Sequence, residues 1–182
     1  MSVTITKKGE FNFKGMQKRF DREIKISLPK IVANDTQKHF QSGFRSGGGK
    51  TNDSISGWKQ RQFTKGKGSR GVLVNSGRLR KDISKKLVSF SRIIIGTTSL
   101  TKDYAHTQNE GGNITITKQM RSFFWAQHYK SRAKTEKEYW KNLALHKGNT
   151  IKIPKREFIG DSRVLERRIN MSVKKQMEKV FK

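Results

Sequence analysis

The stretch IKIPKREFIGDSRVL, residues 151–165, contains the strand-to-helix transition that decides the fold class. Ile151 to Ile153 has the pattern of a short strand, and Pro154 ends it because proline cannot donate to a strand ladder. Asp161 or Ser162 then supplies a side-chain oxygen that can cap the start of a helix. The sequence therefore predicts a strand followed directly by the last helix.

Two long helical patterns frame the chain. Apolar residues recur at helical spacing on one face of the last helix, at Leu165, Ile169, Val173, Met177 and Val180 or Phe181. A similar stripe runs from about residue 14 to residue 44 and is interrupted by Pro29. Because Ser27 could cap a second helix with Pro29 in its first turn, we expect two helices here, or one kinked at Leu28.

Short β segments and turns lie between these helices. We expect strands at 87–90, 93–95 and 114–117, and the β-branched run at 93–95 suggests a buried strand. A brief helix at 102–108 should end at Gly111-Gly112, and 119–132 and 136–146 should form a helical hairpin. We therefore predict an α+β fold, with long N-terminal and C-terminal helices around a small, mainly antiparallel sheet. One domain would cover 1–182, with the hairpin as an insertion at 113–150.

Charge is the strongest signal in the composition. The 182 residues contain 41 Lys and Arg against 14 Asp and Glu, a formal net charge of +27. Ten of the basic residues and one acidic residue, Asp82, lie between Arg61 and Arg92. Such an excess predicts contact with nucleic acid, an anionic membrane surface or an acidic protein surface. We expect the contact to involve Arg61, Lys65, Lys67, Arg70, Arg78, Arg80, Lys81, Lys85 and Lys86.

Signatures of enzymes, cofactors and metals are weak in this sequence. The run GGGKT at 47–51 has the wrong spacing for a phosphate-binding loop and follows a helical pattern. The four histidines form no pair at i and i+4, and cysteine is absent. His106, with Asp103 and Glu110 nearby, is more typical of a turn than of a catalytic base. We expect no catalytic, cofactor-binding or metal-binding residues, and no membrane-spanning segment.

Three stretches, taken in order, resemble the virion morphogenesis or tail-completion family of Mu-like phages. They are LVNSGRLRKDI at 73–83, IGT at 95–97 with YAHTQNEGG at 104–112, and IPKREFIG at 153–160. Asp82 replaces the serine that is usual in the first, and Glu157 replaces a proline in the third. The resemblance covers about 60–182 and singles out Ser76, Gly77, Leu79, Tyr104, Ala105, Gln108, Gly111, Gly112, Pro154, Arg156, Phe158 and Gly160.

The resemblance implies a non-enzymatic structural protein of the head–tail junction, or neck, or of the tail end of a tailed phage. It would assemble in the bacterial host cytoplasm as a homo-oligomeric ring, with a hexamer as one candidate. Its partners would be connector, neck and tail proteins, with non-specific contact to phage DNA. We expect Leu79, Tyr104, Phe158 and Ile159 to pack inside one subunit, and Gly77, Gly111 and Gly112 to occupy turns with positive φ.

Two alternatives stay open. The first is a nucleic-acid-binding protein that acts free of any particle and uses the basic surface with interleaved aromatics such as Trp125, Tyr129 and Trp140. The second concerns the hairpin, whose apolar face either docks on a neighbouring subunit or folds back on its own sheet. The stripe that ends at Phe181 is a further candidate for docking.

Overall fold

The computed structural model describes residues 12–49, 56–60, 71–99 and 101–181. The sequence also predicts a short extended start at Val3–Ile5 and a loop with a basic bias at 64–71; the start and most of the loop lie outside these residues. Four of the predicted contact residues, Arg61, Lys65, Lys67 and Arg70, lie outside them as well.

The N-terminal pattern forms a long helix with a widened middle. Helix α1 (Phe13–Phe20) continues through a π-helical segment (Asp21–Ser27) into α2 (Leu28–Ser46). The prediction of a cap at Ser27 is wrong, because its backbone is helical and its side chain makes no capping hydrogen bond. The wide turn accommodates Pro29 instead. The N–H of Leu28 bonds five residues back to Glu23, and this spacing relieves the clash that a proline ring causes in an α-helix.

The C-terminal helix packs against this long helix and runs in the opposite direction. Helix α7 (Arg163–Phe181) begins at Ser162, whose Oγ accepts the N–H of Leu165 at 3.2 Å, so Ser162 is the cap. The same Oγ lies 3.0 Å from Nε2 of the buried His39 on α2. Further along, the hydroxyl of Ser172 donates to Asp35 at 3.4 Å. The apolar stripe faces α2 from Leu165 onward, whereas Phe181 at its end is exposed.

The described strands form three separate antiparallel pairs. Strands β1 (Gly48–Gly49) and β2 (Ser56–Gly57) are minimal. Strands β3 (Ser84–Val88) and β4 (Ile93–Gly96) form a bulged hairpin, and β5 (Gly112–Thr115) pairs with β6 (Thr150–Ile153). The α+β class, the long terminal helices and the antiparallel pairing are confirmed. Ile93–Ile95 is half-buried rather than buried, because a two-stranded pair is covered on one side at most.

One core joins the long helices to the chain's middle. It contains Phe40, Phe44, Trp58, Val72, Leu73, Leu79, Ile83, Ala105, Phe158 and Leu165. Phe44 sits at its centre and makes edge-to-face contacts with Trp58 and Phe158, at centroid separations of 5.3 and 5.4 Å. The short helices α3 (Arg78–Asp82) and α4 (Lys102–Glu110) supply Leu79 and Ala105.

A second, smaller core belongs to the helical hairpin. Helices α5 (Lys118–Lys130) and α6 (Lys134–Ala144) bury Phe124, Leu143 and Ala144 together with Ile116, and Ile151 of β6 packs against them. The hairpin therefore folds back on its own β5–β6 pair. Phe124, which is buried, and Trp140, which is partly buried, stack within it with centroids 6.0 Å apart, so of the two alternatives for the hairpin the structure supports folding back on its own strands.

Candidate functional site

The first of the three segments, 73–83, begins as a tight turn. Gly77 has a φ of 72°, a left-handed conformation that glycine adopts without strain, and the N–H of Arg78 donates to Oγ of Ser76 at 3.3 Å. Leu79 then projects into the main core, as predicted. Ser76 itself is exposed, so its described role is to support the turn.

The end of this segment is held on the long helix. The backbone carbonyl of Ile83 accepts hydrogen bonds from Nε2 of Gln37 and Gln41, at 2.9 and 3.1 Å. The Ile83 side chain is fully buried. Two amides on one face of α2 therefore fix the point where β3 starts.

Asp82, which stands where the resemblance has a serine, connects the first segment to the start of the second. Its carboxylate accepts the N–H of Thr98 at 2.7 Å and the hydroxyl of Thr101. Burial acts to raise the pKa of Asp82, but these hydrogen bonds and the positive charge of Lys86 together hold it below 3.8. A carboxylate can accept more than one donor here, which explains why the substitution is compatible with the fold.

The second segment, 104–112, turns one face of α4 toward the core. Ala105 and Gln108 are buried, whereas Tyr104 is 52% exposed, so the prediction that Tyr104 packs in the core is wrong. Adjacent helical positions point about 100° apart, and Ala105 occupies the inward direction. Gly111 has the predicted positive φ, at 81°. Gly112 does not, because it is already the first residue of strand β5.

The third segment, 153–160, is joined to the second through a buried arginine. Arg156 donates from Nη1 to Oε1 of Gln108 at 3.1 Å, and its own N–H donates to the Gln108 carbonyl at 2.9 Å. Its Nε and Nη2 donate to the carbonyls of Lys59 and Gln60, at 3.0 and 3.5 Å. Arg156 therefore holds the junction between the second and third segments, with backbone carbonyls and the Gln108 side chain as acceptors.

A second set of hydrogen bonds runs parallel to the first. Oδ1 of Asn109 accepts the backbone N–H groups of Phe158 and Ile159, at 2.9 and 3.1 Å. Nε1 of Trp58 donates to the carbonyl of Glu157 at 3.1 Å. Pro154 is half-buried directly after β6. Gly160 leaves room for the carboxylate of Glu157, because a Cβ at position 160 would overlap it. The third segment is thus fixed on both sides.

An open groove of about 440 Å³ marks the place where the second and third segments meet. Ile95, Ala105, Phe158 and Ile159 contribute apolar surface to it, and Lys102, Asp103 and His106 contribute polar groups. A carboxylate, an amine and an imidazole on exposed turns of one helix can bind a polar group of a partner.

A small ion cluster lies beside the groove. Nζ of Lys155 is 3.4 Å from a carboxylate oxygen of Glu110 and 3.4 Å from one of Glu157. The Asn109 amide and then Lys155 lower the pKa of Glu110, and Glu157 and then Glu110 raise the pKa of Lys155. These side chains are half-exposed, so water screens the pairs and they contribute little to stability.

The five described residues of the predicted basic surface lie on α3 and β3 and do not form one continuous face. Nζ of Lys85 donates to Oδ1 of Asn34 on α2 at 2.6 Å, whereas Lys86 lies close enough to Asp82 to influence its charge. Arg80 is half-buried, and Arg78 and Lys81 are exposed. The neighbouring residues Lys85 and Lys86 therefore have different surroundings, α2 for Lys85 and Asp82 for Lys86.

Residues that reasoning from sequence missed are mostly polar groups on helices. Asn109, Gln37 and Gln41 carry long-range hydrogen bonds, and His39 is buried against the cap of α7. Gln37 and Gln41 are one helical turn apart, which is the one signal that could have suggested a shared target. His39 adjoins Phe40 on the apolar stripe, and this position could have suggested its burial.

No group of three or more His, Cys, Asp or Glu side chains that could hold a metal ion occurs among the described residues. In the same part of the chain, no helix combines the length and apolarity needed to cross a bilayer. Comparison with models of protein families, with curated proteins and with solved structures finds no match for this chain.

Proposed function

We propose that this chain is a non-enzymatic structural protein of the virion of a tailed phage, at the head–tail junction or the tail end, and that it acts by assembling with other proteins. The proposal rests on the resemblance of three segments to the tail-completion family. Ring formation and the identity of the connector, neck and tail partners belong to the same proposal.

The observation that best supports it is how the structure uses these segments. Gln108 and Arg156, 48 residues apart, hydrogen-bond in the interior, and Asp82 reaches Thr98 and Thr101. Leu79, Ala105 and Phe158 share the main core. The conspicuous polar groups of the three motifs are engaged in holding the fold together. Motif residues that hold the fold together in this way are expected where the motifs serve to build a structural framework.

The exposed turn between β3 and β4 is the best candidate for an assembly contact. Phe90 is 59% exposed, and Leu87 and Val88 beside it are also exposed. The turn is rigid, because the N–H and Oγ of Ser89 both donate to the carbonyl of Arg92 at 2.9 Å. An apolar group held in water on a rigid turn favours protein contact.

The test is the oligomeric state of the purified, nuclease-treated protein at low and high salt, followed by sedimentation and electron microscopy. We expect discrete oligomers that form more readily at high salt, because salt screens the repulsion between chains of net charge +27. Phe90→Ser should prevent them, and Met171→Ser, at an equally exposed position on α7, should not. A protein that stays monomeric under all conditions, alone and with virion proteins of its phage, contradicts the proposal.

Sequence-independent nucleic-acid binding is the second candidate. The segment 78–92 has six basic residues and one acidic residue, and that residue, Asp82, is already hydrogen-bonded internally. Arg78, Lys81 and Lys86 are exposed and could bind phosphates, whereas Lys85 is hydrogen-bonded to Asn34 and Arg80 is half-buried. Affinity for duplex DNA that falls by roughly a thousandfold between about 50 and 200 mM salt would fit six or more phosphate contacts. Assembly without nucleic acid favours the structural role, and assembly that requires it favours this candidate.

A further inference from the structure

The tip of the α5–α6 hairpin presents a stacked pair of aromatic rings to solvent. Trp125 and Tyr129 are four residues apart on α5, so they share a face, and their rings stack with centroids 6.1 Å apart and an interplanar angle of 27°. His128 makes edge contacts with both rings, at 5.6 and 5.2 Å. Trp125 packs against the hairpin core, but Tyr129 is 76% exposed.

The geometry around these rings is fixed by hydrogen bonds. Nδ1 of His128 lies 2.8 Å from the carbonyl of Lys137 on α6, and since a carbonyl can only accept, Nδ1 carries the proton. The N–H and Oγ of Ser131 both donate to the carbonyl of Gln127, at 3.0 and 2.8 Å. The end of α5 is therefore closed, and a flat ligand could bind without reordering the tip.

The hairpin and its β5–β6 base are strongly basic. Residues 112–153 contain nine Lys and Arg against two acidic residues, Glu136 and Glu138. Four of the cations lie at the tip, within about one helical turn of Tyr129 or of the facing end of α6, and all four are exposed. They are Lys130, Arg132, Lys134 and Lys137.

We infer that this tip binds single-stranded nucleic acid, with a base stacked on the open face of Tyr129 and the flanking phosphates bound by the four cations. A preformed aromatic face surrounded by cations is what sequence-tolerant single-strand binding uses. Duplex DNA fits less well, because its base faces are covered by neighbouring bases. An acidic protein surface would use the cations but would not require a flat, pre-stacked ring with one open face. The inference does not depend on the virion proposal.

The test uses the full-length protein and oligothymidylate of about 15 nucleotides, with a matched oligomer that keeps the phosphates and lacks the bases. Tyr129→Leu, which keeps apolar bulk and removes the ring, should weaken oligothymidylate binding by about fivefold or more. It should leave binding of the abasic oligomer unchanged, because that oligomer has nothing to stack. An unchanged thermal unfolding midpoint would confirm that the variant is folded.

A charge-matched pair of variants separates the tip from the protein's overall charge. Lys130→Gln, Arg132→Gln and Lys134→Gln combined should weaken both oligomers more than Lys174→Gln, Lys175→Gln and Lys179→Gln combined, which remove three exposed cations from α7. Comparing oligothymidylate with oligouridylate identifies DNA or RNA as the favoured strand.

Three results would overturn the inference. The first is equal affinity of wild type for the abasic and base-containing oligomers. The second is no effect of Tyr129→Leu on oligothymidylate. The third is an equal loss in the two triple variants, which would mean that net charge alone governs binding.

Discussion

The guanidinium of Arg156 donates to the side-chain oxygen of Gln108 across 3.1 Å, in the interior of the protein. Arg156 is 6% exposed, and its hydrogen bonds include those to the amide oxygens of Gln108, Lys59 and Gln60. The contact therefore couples three parts of the chain, 59–60, α4 and the turn after β6.

Replacing Arg156 with lysine should destabilise the protein by about 2–3 kcal/mol, although the charge is kept. An ammonium cannot reach three acceptors that are arranged for a planar fork, so acceptors around the buried guanidinium, among them the side-chain oxygen of Gln108, lose their donors. Urea unfolding measures the effect. Arg168→Lys, on the exposed side of α7, should change the free energy of unfolding by less than about 0.5 kcal/mol. Equal effects of the two changes would show that the buried fork is unimportant.

Asp82→Asn should lower the free energy of unfolding by about 1 kcal/mol at neutral pH, because an amide is a weaker acceptor for the two threonine donors. The pKa of Asp82 is lowered in the folded state. Its carboxylate therefore stabilises the fold above the unfolded pKa, and this contribution is lost as pH falls through the folded pKa.

Measured as urea midpoints, the difference between wild type and Asp82→Asn should accordingly shrink as the pH is lowered from about 5 through the ordinary value of 3.8 and below. Glu138→Gln, at an exposed position, serves as the control. A difference that stays constant over this range would mean that the Asp82 charge does not contribute.

Gly111→Ala should cost more than Gly77→Ala, although both glycines have positive φ. An alanine Cβ at Gly111 would lie 2.9 Å from the N of Lys155 and 3.0 Å from the carbonyl oxygen of Ile153, whereas nothing lies within 4 Å at Gly77. At either position, backbone strain alone should lower the free energy of unfolding by about 1–2 kcal/mol. At Gly111 the clash with a fixed backbone should lower it by at least about 1 kcal/mol more. Thermal unfolding midpoints compare the two variants. Equal midpoints would contradict the close approach at Gly111.

Deleting 118–147 and joining the ends with a short Gly-Ser linker should leave the main core folded. The hairpin has its own core around Phe124, and the N–H of Ile116 already donates to the carbonyl of Asn149 at 2.7 Å, so the ends to be joined are adjacent. Trp58 is then the one tryptophan left in the chain. Its fluorescence should stay that of a buried indole and change cooperatively in urea. An exposed Trp58 in the absence of urea would mean that the hairpin supports the main core.

The sequence by itself determined the elements whose periodicity is strong. The stripe from Leu165 and the cap at Ser162 define α7, and the β segments around Ser91 define a hairpin, because apolar spacing and cap chemistry act within a few residues. Leu79 and Phe158 were expected in the core as apolar residues of the motif segments, and both are buried there. The burial of Phe124 in a second core could not be predicted from the sequence. Amphipathic spacing indicates that one face of a helix is buried, but it does not identify the element that covers that face.

The tertiary structure alone decided the long-range polar contacts. That Asn109 binds the backbone at 158–159, or that Gln37 and Gln41 share the carbonyl of Ile83, depends on distances set by packing many residues away in the chain. The same holds for Tyr104, which points outward because Ala105 occupies the inward position. Hydrogen bonds act over about 3 Å, so no spacing along the sequence predicts them until the core has fixed which segments are neighbours.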